Sequence, residues 1–223
     1  MHDLRNYAPF LAIMTTKKQK RMLYRVQKRD IVRIRKVLAD AFQHDPLWNK
    51  IYEGESDLEP RFRAFFEVPV RYCLKYGEVY APSEALEGVV AWVPGKYADM
   101  TMWRTIRSGA MGAAMRMGSN AAKKMGPVFK PVTEDRNEHM AGSTFLYLLI
   151  VGVATELQGK GFGRKLIGAA IEKSEREGLQ LYLETEIEEN VKMYEHFGFR
   201  LLKRITLPIV DLPMWEMVRK PKA

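Results

Sequence analysis

Gln158-Gly159-Lys160-Gly161-Phe162-Gly163-Arg164 sets three alternating glycines between an apolar run, Phe145 to Val153, and a helical pattern that begins at Lys165. Glycines at a strand-to-helix junction leave a row of backbone N–H groups without side-chain cover, and the helix adds the positive end of its dipole. Such a cradle suits a phosphate or pyrophosphate. The plain alternative is a flexible glycine turn. Spacing narrows the phosphate reading. A Walker-type loop ends G-K-[ST], whereas here Lys160 precedes Gly161 and no Ser or Thr follows. A dinucleotide fingerprint, G-x-G-x-x-G, fails in both frames, with Arg164 or Leu166 in its last position. The pattern Q-x-x-G-x-G is met, by Gln158, Gly161 and Gly163.

A second cluster lies downstream, after another apolar run: Asn190-Val191-Lys192-Met193-Tyr194-Glu195-His196-Phe197-Gly198-Phe199, of the form N-x-x-x-Y-x-x-x-G-F. With both patterns in this order, the chain resembles the GNAT superfamily of acyl-CoA-dependent N-acyltransferases. The resemblance implies an α/β (α+β) fold with a mixed, mostly antiparallel central sheet and helices on both faces. It also implies acetyl-CoA as cosubstrate, with CoA as product, and direct transfer of the acetyl group to a primary amine of a small molecule in a ternary complex. A protein lysine or N-terminal acetyltransferase, or a non-catalytic acyl-CoA-binding sensor, are the alternatives. The segment from Ala41 to Trp48, with Leu183-Glu184-Thr185, is loosely similar to the puromycin N-acetyltransferase branch.

Acyl transfer from a thioester to an amine requires a held cofactor, a polarised carbonyl, a deprotonated amine and a proton for the departing thiolate. By resemblance, the main chain of Val151, Gly152 and Val153 pairs with the cofactor and polarises the carbonyl, and Gln158, Gly159, Lys160, Gly161, Phe162, Gly163 and Arg164 hold its pyrophosphate. Gly152 is unusual within an apolar strand and marks a bulge or a close approach. Tyr194 is expected to protonate the thiolate, and its unperturbed pKa of about 10, against about 8.5 for a thiol, keeps it protonated at neutral pH. Asn190 is expected to cap the helix that carries Tyr194 and to hydrogen-bond the cofactor, although capping alone explains it equally well. Glu184, an acid inside the apolar run Leu181 to Thr185, is the first candidate for the amine's base, because a carboxylate there is costly without a role or a partner. Tyr147, Glu78 or a water chain could serve instead, and an amine of low pKa needs no base. His44 and Asp45 could line the acceptor site or form a turn before Pro46. His2, His139 and His196 have no metal-ligand spacing, so no metal site is expected, and Cys73 reads as core.

The elements that must position these residues follow from periodicity. Leu23 to Lys28 reads as a strand, and Asp30 as the cap of a helix carrying Ile31, Ile34, Val37, Leu38 and Phe42. Residues 60–76 form a helix that Pro69 should kink or split, and Glu78 to Ala81 pairs with Leu86 to Pro94. Residues 97–130, rich in Met and Ala, suggest one or two amphipathic helices through Met100, Trp103, Ile106, Met111, Met115 and Met117. They either pack as an insertion on the sheet or cover the acceptor pocket. A helix to Glu177 ends at Gly178, and a strand, the short Tyr194 helix and two more strands complete the pattern.

At 223 residues and 47% hydrophobic, the chain can bury one core, expected over residues 22–223 after a loose basic arm over residues 1–21. No apolar run reaches the ~18 residues of a membrane span. Phe10 to Met14 is too short for a signal peptide, and the single cysteine fits a reducing compartment, so a cytoplasmic protein is expected. The net charge of +9 is uneven: residues 1–36 carry 11 basic and 2 acidic side chains, and residues 96–131 carry 7 and 1. No nucleic-acid motif accompanies the basic arm, so the expected partner is a small amine, with the chain a monomer or homodimer.

Overall fold

Short apolar runs rich in Val, Leu, Tyr and Trp alternate here with amphipathic helical stretches. The computed structural model, which describes residues 23–222, arranges them around one sheet; the expected arm over 1–21 lies outside the described residues. In chain order the elements are β1 (Tyr24–Arg25), α1 (Ile31–Ala41), α2 (Pro46–Ile51), α3 (Leu58–Tyr76), β2 (Glu78–Ala81), β3 (Gly88–Pro94), α4 (Met102–Arg107), α5 (Met111–Arg116), α6 (Ser119–His139), β4 (Phe145–Val153), α7 (Phe162–Glu177), β5 (Gln180–Thr185), α8 (Glu188–His196), β6 (Arg200–Leu207) and β7 (Leu212–Arg219).

The seven strands are ordered β1-β2-β3-β4-β5-β7-β6. Every neighbouring pair is antiparallel except β4 and β5, which run parallel. Alternation along β3 splits the core into two layers. Val89, Ala91 and Val93 join Ile34 and Leu38 of α1 and Phe65, Phe66 and Val70 of α3 on one face. Val90 and Trp92 join Leu166, Ile167 and Ala170 of α7 on the other. Full burial of side chains such as Ile34, Leu38 and Leu166 stabilises the fold by roughly 1.5–3 kcal/mol each. Helices therefore cover both faces, as the fold expectation had it.

Four local expectations change. The first strand is two residues, not six, because Gln27 opens a 3-10 turn over Lys28–Asp30. Asp30 holds the N-cap position of α1 as expected, but its carboxylate turns back to accept from the Gln27 N–H (2.8 Å) and the Tyr24 hydroxyl (2.9 Å) and makes no capping bond to α1. Pro69 does not split its helix, since α3 runs unbroken from Leu58 to Tyr76. The insertion holds three helices and extends past residue 130 to His139, through Pro127 and Pro131. These prolines stand four apart, so their two missing N–H bonds fall on one side of α6 and the remaining ladder carries the helix on.

The insertion is fastened by charge. Buried Glu67 of α3 accepts from Arg35 of α1 (2.6 Å), Arg71 (2.7 Å) and Arg116 of α5 (3.3 Å). Burial alone would raise the Glu67 pKa, but the arginines outweigh it and hold the carboxyl below its ordinary range. The expected apolar face of the insertion stays largely in solvent, with Trp103 64% and Met115 78% exposed, while Met117 is buried.

Candidate active site

Tyr147 and Tyr182 mark the point where β4 and β5 part. Parallel pairing covers only Phe145↔Gln180, Leu146↔Leu181 and Tyr147↔Tyr182. On its other edge β4 stays with β3 as far as Gly88↔Val153. Among the described residues, the stretch Leu148 to Val153 thus presents one edge whose N–H and C=O groups have no strand partner, and such groups seek a ligand or water. Leu149 is an extra residue in this strand, because Ala91 pairs with Ile150 and Trp92 with Leu148. A bulge of this kind bends the strand and re-aims the groups that follow it. The glycine at 152 is explained by close approach: a Cβ there would lie 2.7 Å from Leu38 Cδ2 and 3.1 Å from Phe42 Cε2 of the α1 segment.

The glycine loop closes onto this strand end. Gln158 donates from Nε2 to the Val153 carbonyl (3.3 Å), and Thr155 Oγ1 to the Asp40 carbonyl (3.0 Å). Gly159 and Gly161 take φ of +75° and +85°, a left-handed conformation that costs a side-chain-bearing residue roughly 1–2 kcal/mol. No atom lies within 4 Å of a Cβ built at either, so the glycines serve backbone shape and leave the space above them open. Gly161 caps α7, whose first backbone bond runs from Lys165 N–H to the Gly161 carbonyl (3.2 Å). The amides of Phe162, Gly163 and Arg164 therefore have no helical acceptor. Lys160 and Arg164, both exposed, supply positive charge beside them. α7 ends at Gly178 in the left-handed conformation, as expected.

Tyr194 lies buried on α8, its ring 5.4 Å from that of Phe199 in an edge-on contact. Its hydroxyl has no hydrogen-bond partner among the described residues. Burial, and then the nearby Glu186 carboxylate, push its pKa upward, so the phenol keeps its proton. Asn190 does not cap α8: Ile187 holds that position, and Asn190, inside the helix, donates Nδ2 to Thr185 Oγ1 (3.3 Å). The capping expectation failed because two glutamates, Glu188 and Glu189, extend the first turn upstream of it.

Glu184 is neither open nor unpartnered. Its Oε1 accepts from Arg136 (3.1 Å) and its Oε2 from the Tyr147 hydroxyl (2.5 Å). Arg136, reaching in from α6, also pairs with Asp99 (2.8 Å) and lies over the Tyr147 ring (4.8 Å). The two ends of the insertion are thereby tied together over the mouth of the strand gap. Burial raises the Glu184 pKa, with Arg136 and Tyr147 opposing, and the same burial followed by the Glu184 charge drives Tyr147 well up. Across the sheet Glu184 faces Glu216, a fully buried acid that meets Tyr182 (3.1 Å) and His139 Nδ1 (3.2 Å). Sequence reasoning gave no sign of this network, because its members come from β4, β5, α6 and β7.

Two carboxyls meet that no spacing in the chain relates. Asp45 caps α2, accepting at Oδ1 from Leu47 N–H (2.9 Å) and Trp48 N–H (3.3 Å). Its Oδ2 is buried with no donor, and the residue is only 6% exposed. The charge of Asp45 acts on Glu186, two residues past Glu184. Burial, then Asp45, drive the Glu186 pKa well above the carboxylate range. The other candidates lie elsewhere. His44 and His196 are exposed, His2 is outside the described residues, and Cys73 is buried core. Glu78 pairs with Lys173 of α7 (2.6 Å). Among the described residues no cluster of His, Cys, Asp and Glu could hold a metal ion, and no helix is long and apolar enough to cross a membrane.

A sheet that opens along one strand, beside a bare-amide loop and a buried tyrosine, is the arrangement expected of an acyltransferase of the acetyltransferase type. Comparison with known proteins bears this out. The Acetyltransferase (GNAT) family profile matches residues 128–199, which contain β4, the glycine loop, α7, β5 and α8. An uncharacterized N-acetyltransferase of Schizosaccharomyces pombe is 29% identical over 219 residues, covering 89% of this chain and 83% of the relative. A histone acetyltransferase HPA2 and related acetyltransferase from Corynebacterium glutamicum superposes with a TM-score of 0.63 at 18% identity, covering 91% of this chain and 97% of that one. The polyamine N-acetyltransferase of Drosophila melanogaster does so with 0.62 at 12%, covering 89% and 99%. Residues 128–199 thus match the GNAT acetyltransferase family, and these similarities support an N-acetyltransferase.

Proposed function

We propose that this N-acetyltransferase transfers the acetyl group of acetyl-CoA directly to the primary amine of a small molecule, with both substrates bound together. The observation that carries the reading is the parting of β4 from β5 beside the glycine loop, with Tyr194 on the helix that follows β5. The residues fit the cosubstrate: the amides after Gly161 and the cations Lys160 and Arg164 suit a pyrophosphate, and the unpaired edge of Val151 to Val153 suits the amides of a pantetheine arm. Acetyl-CoA, when bound, supplies the activated acyl group. The chain's own residues do the rest. Backbone N–H groups of the strand edge polarise the carbonyl, and Asn190 lies one helical turn before Tyr194. The Tyr194 phenol, kept protonated by burial, gives its proton to the departing sulfur.

Glu184 is better suited to positioning than to receiving a proton, because both of its oxygens already accept hydrogen bonds from Arg136 and Tyr147. It holds the Tyr147 hydroxyl and the insertion against the mouth of the gap. A small acceptor suits an insertion pinned across that mouth by the Asp99–Arg136–Glu184 chain. Fold neighbours include proteins described as polyamine, agmatine and arylalkylamine N-acetyltransferases, so this framework accommodates small amines. A buried, unpaired Cys73 agrees with residence in the cytoplasm. The test is continuous measurement of CoA thiol release from acetyl-CoA with panels of small amines and of lysine and N-terminal peptides. Small amines are expected to turn over with a kcat/KM at least tenfold above the peptides. The reverse ranking would contradict the reading.

A further inference from the structure

Glu67 draws three guanidinium groups to one carboxylate. Arg35 of α1, Arg71 of α3 and Arg116 of α5 all donate to it, at 2.6, 2.7 and 3.3 Å. One negative charge leaves two of these three positive charges unbalanced. Two more arginines of α3 stand beside them with an acid each: Arg61 pairs with Glu55 (2.8 Å) and Arg63 with Glu59. The cluster thus sets five arginines against three glutamates, a net charge of +2. Arg35, Arg61, Arg63 and Arg116 line one cavity of about 640 Å³, with Gly118 and Ser119 at the start of α6, and no acid forms part of its wall. Gly118 takes φ of +101°, and a Cβ there would lie 2.6 Å from Arg61 Nη1, so the glycine is what lets that guanidinium lie against the chain. Arg63 Nε is buried and has no acceptor. A buried, charged donor left unpaired is costly, and a site that keeps one is poised for an incoming acceptor. The wall comes from α1, α3, α5 and α6, and none of it from β4, the glycine loop, α7 or α8.

We propose that this cavity is a second anion site, apart from the glycine loop, which takes the phosphate group of a small phosphate monoester or of inorganic phosphate. A phosphate group carries about −1.5 to −2 charges at pH 7, which matches the unbalanced charge of the arginine cluster. Planar guanidinium forks recognise phosphate oxygens two bonds at a time. Arg35 and Arg116 each give one N–H to Glu67 and keep others, and Arg63 keeps its Nε. The cavity volume falls within the range of small-molecule sites, about 300–1,000 Å³, so it admits an organic group beside the phosphate. Glu67 holds two of the guanidinium groups in place before the ligand arrives, which lowers the cost of ordering them on binding. A bound phosphate bridges α1, α3 and α5, and so fastens the insertion to the layer that packs on the sheet. None of these arginines has a part in acetyl transfer.

The test is calorimetric titration of the full chain with inorganic phosphate and with glucose 6-phosphate, glucose serving as the uncharged control, each with and without saturating acetyl-CoA. At least one of the two phosphates is expected to bind and glucose is not, with a Kd that acetyl-CoA changes by less than about twofold. Arg116→Gln and Arg63→Gln are each expected to weaken phosphate binding by about tenfold or more. Arg116 is the most exposed of the four arginines, at 57%, and Glu67 keeps Arg35 and Arg71 without it, so this variant keeps the fold. A Tm within about 2 °C of wild type confirms that. Arg116→Lys, which keeps the charge and loses the fork, should bind between wild type and Arg116→Gln. Tighter binding of glucose 6-phosphate identifies a phosphate ester as the occupant, and equal or tighter binding of inorganic phosphate identifies the free ion; either supports the site. Absence of binding by both phosphates in wild type overturns the proposal. So does binding that is unchanged in Arg116→Gln, or binding that acetyl-CoA abolishes, since the phosphate is then held by the glycine loop. Should Arg63→Gln fail to fold, Arg116→Gln decides alone.

Discussion

Replacing Tyr194 by Phe removes one oxygen from the site and nothing else. The ring stays, and with it the edge-on contact with Phe199 at 5.4 Å. The hydroxyl has no partner among the described residues, so no hydrogen bond to the protein is broken. The stability change should fall within about ±0.5 kcal/mol. At roughly 2–4 °C per kcal/mol for a chain of this size, Tm should move by less than about 2 °C. Acetyl-CoA affinity can lose at most one hydrogen bond, about 1 kcal/mol, or roughly fivefold in Kd. Turnover should fall much further, because an acid that delivers a proton in the transition state contributes about 10²–10⁴-fold. The lower bound corresponds to about 2.7 kcal/mol of barrier. Thiol release under saturating amine, beside calorimetric Kd and thermal unfolding of the same preparation, separates these effects. A kcat within threefold of wild type refutes the acid assignment. A Tm drop beyond about 4 °C refutes the claim that the hydroxyl is structurally idle.

Other perturbations test the frame around the site. A Cβ on Gly88 would lie 2.7 Å from the Gly152 carbonyl and 3.1 Å from Val153 Cα, both backbone atoms. Gly88→Ala should therefore cost about 1–3 kcal/mol of stability, read by thermal unfolding, and also weaken acetyl-CoA binding by disturbing the strand edge. Glu67→Gln should lower stability at neutral pH and make it less pH-dependent. The Glu67 pKa is depressed in the fold, so its contribution is present above the unfolded value of about 4.3 and is lost as pH falls through the lower folded value. Melting curves from pH 3 to 7 check this. Glu186→Gln should do the opposite. A raised folded pKa gives stability that is present at low pH and lost as pH rises, so the variant should gain Tm over wild type at pH 8 and lose that gain at pH 4.

The glycine loop, its strand and its helix were legible in the sequence because each depends on neighbours in the chain. Positive φ at Gly159 and Gly161 answers to residue type, and α7 stops at Gly178 for the same reason. What could not be read depends on pairs far apart. Leu149 bulges only relative to β3, and no local pattern marks it. Glu184 looked like an isolated acid in an apolar strand because Arg136 lies 48 residues away. Asp45 read equally as a turn residue or as part of the acceptor site, and it proved to be a helix cap with one oxygen to spare. Glu186 drew no notice, since Asp45, whose charge acts on it, sits beyond α3, the insertion and four strands. The methionines between residues 97 and 130 promised a buried face, yet Glu67 fastens that segment through Arg116, and Met115 stays outside.

The central claim is that bare amides around Gly161 grip a diphosphate. Paired calorimetric titrations of the full chain with acetyl-CoA and with S-acetylpantetheine, which carries the same thioester but no diphosphate, address it directly. The account predicts one acetyl-CoA bound per chain and at least ~100-fold weaker binding of the fragment, a difference of about 2.7 kcal/mol. Equal affinity for the two compounds, or no association with acetyl-CoA, would contradict it.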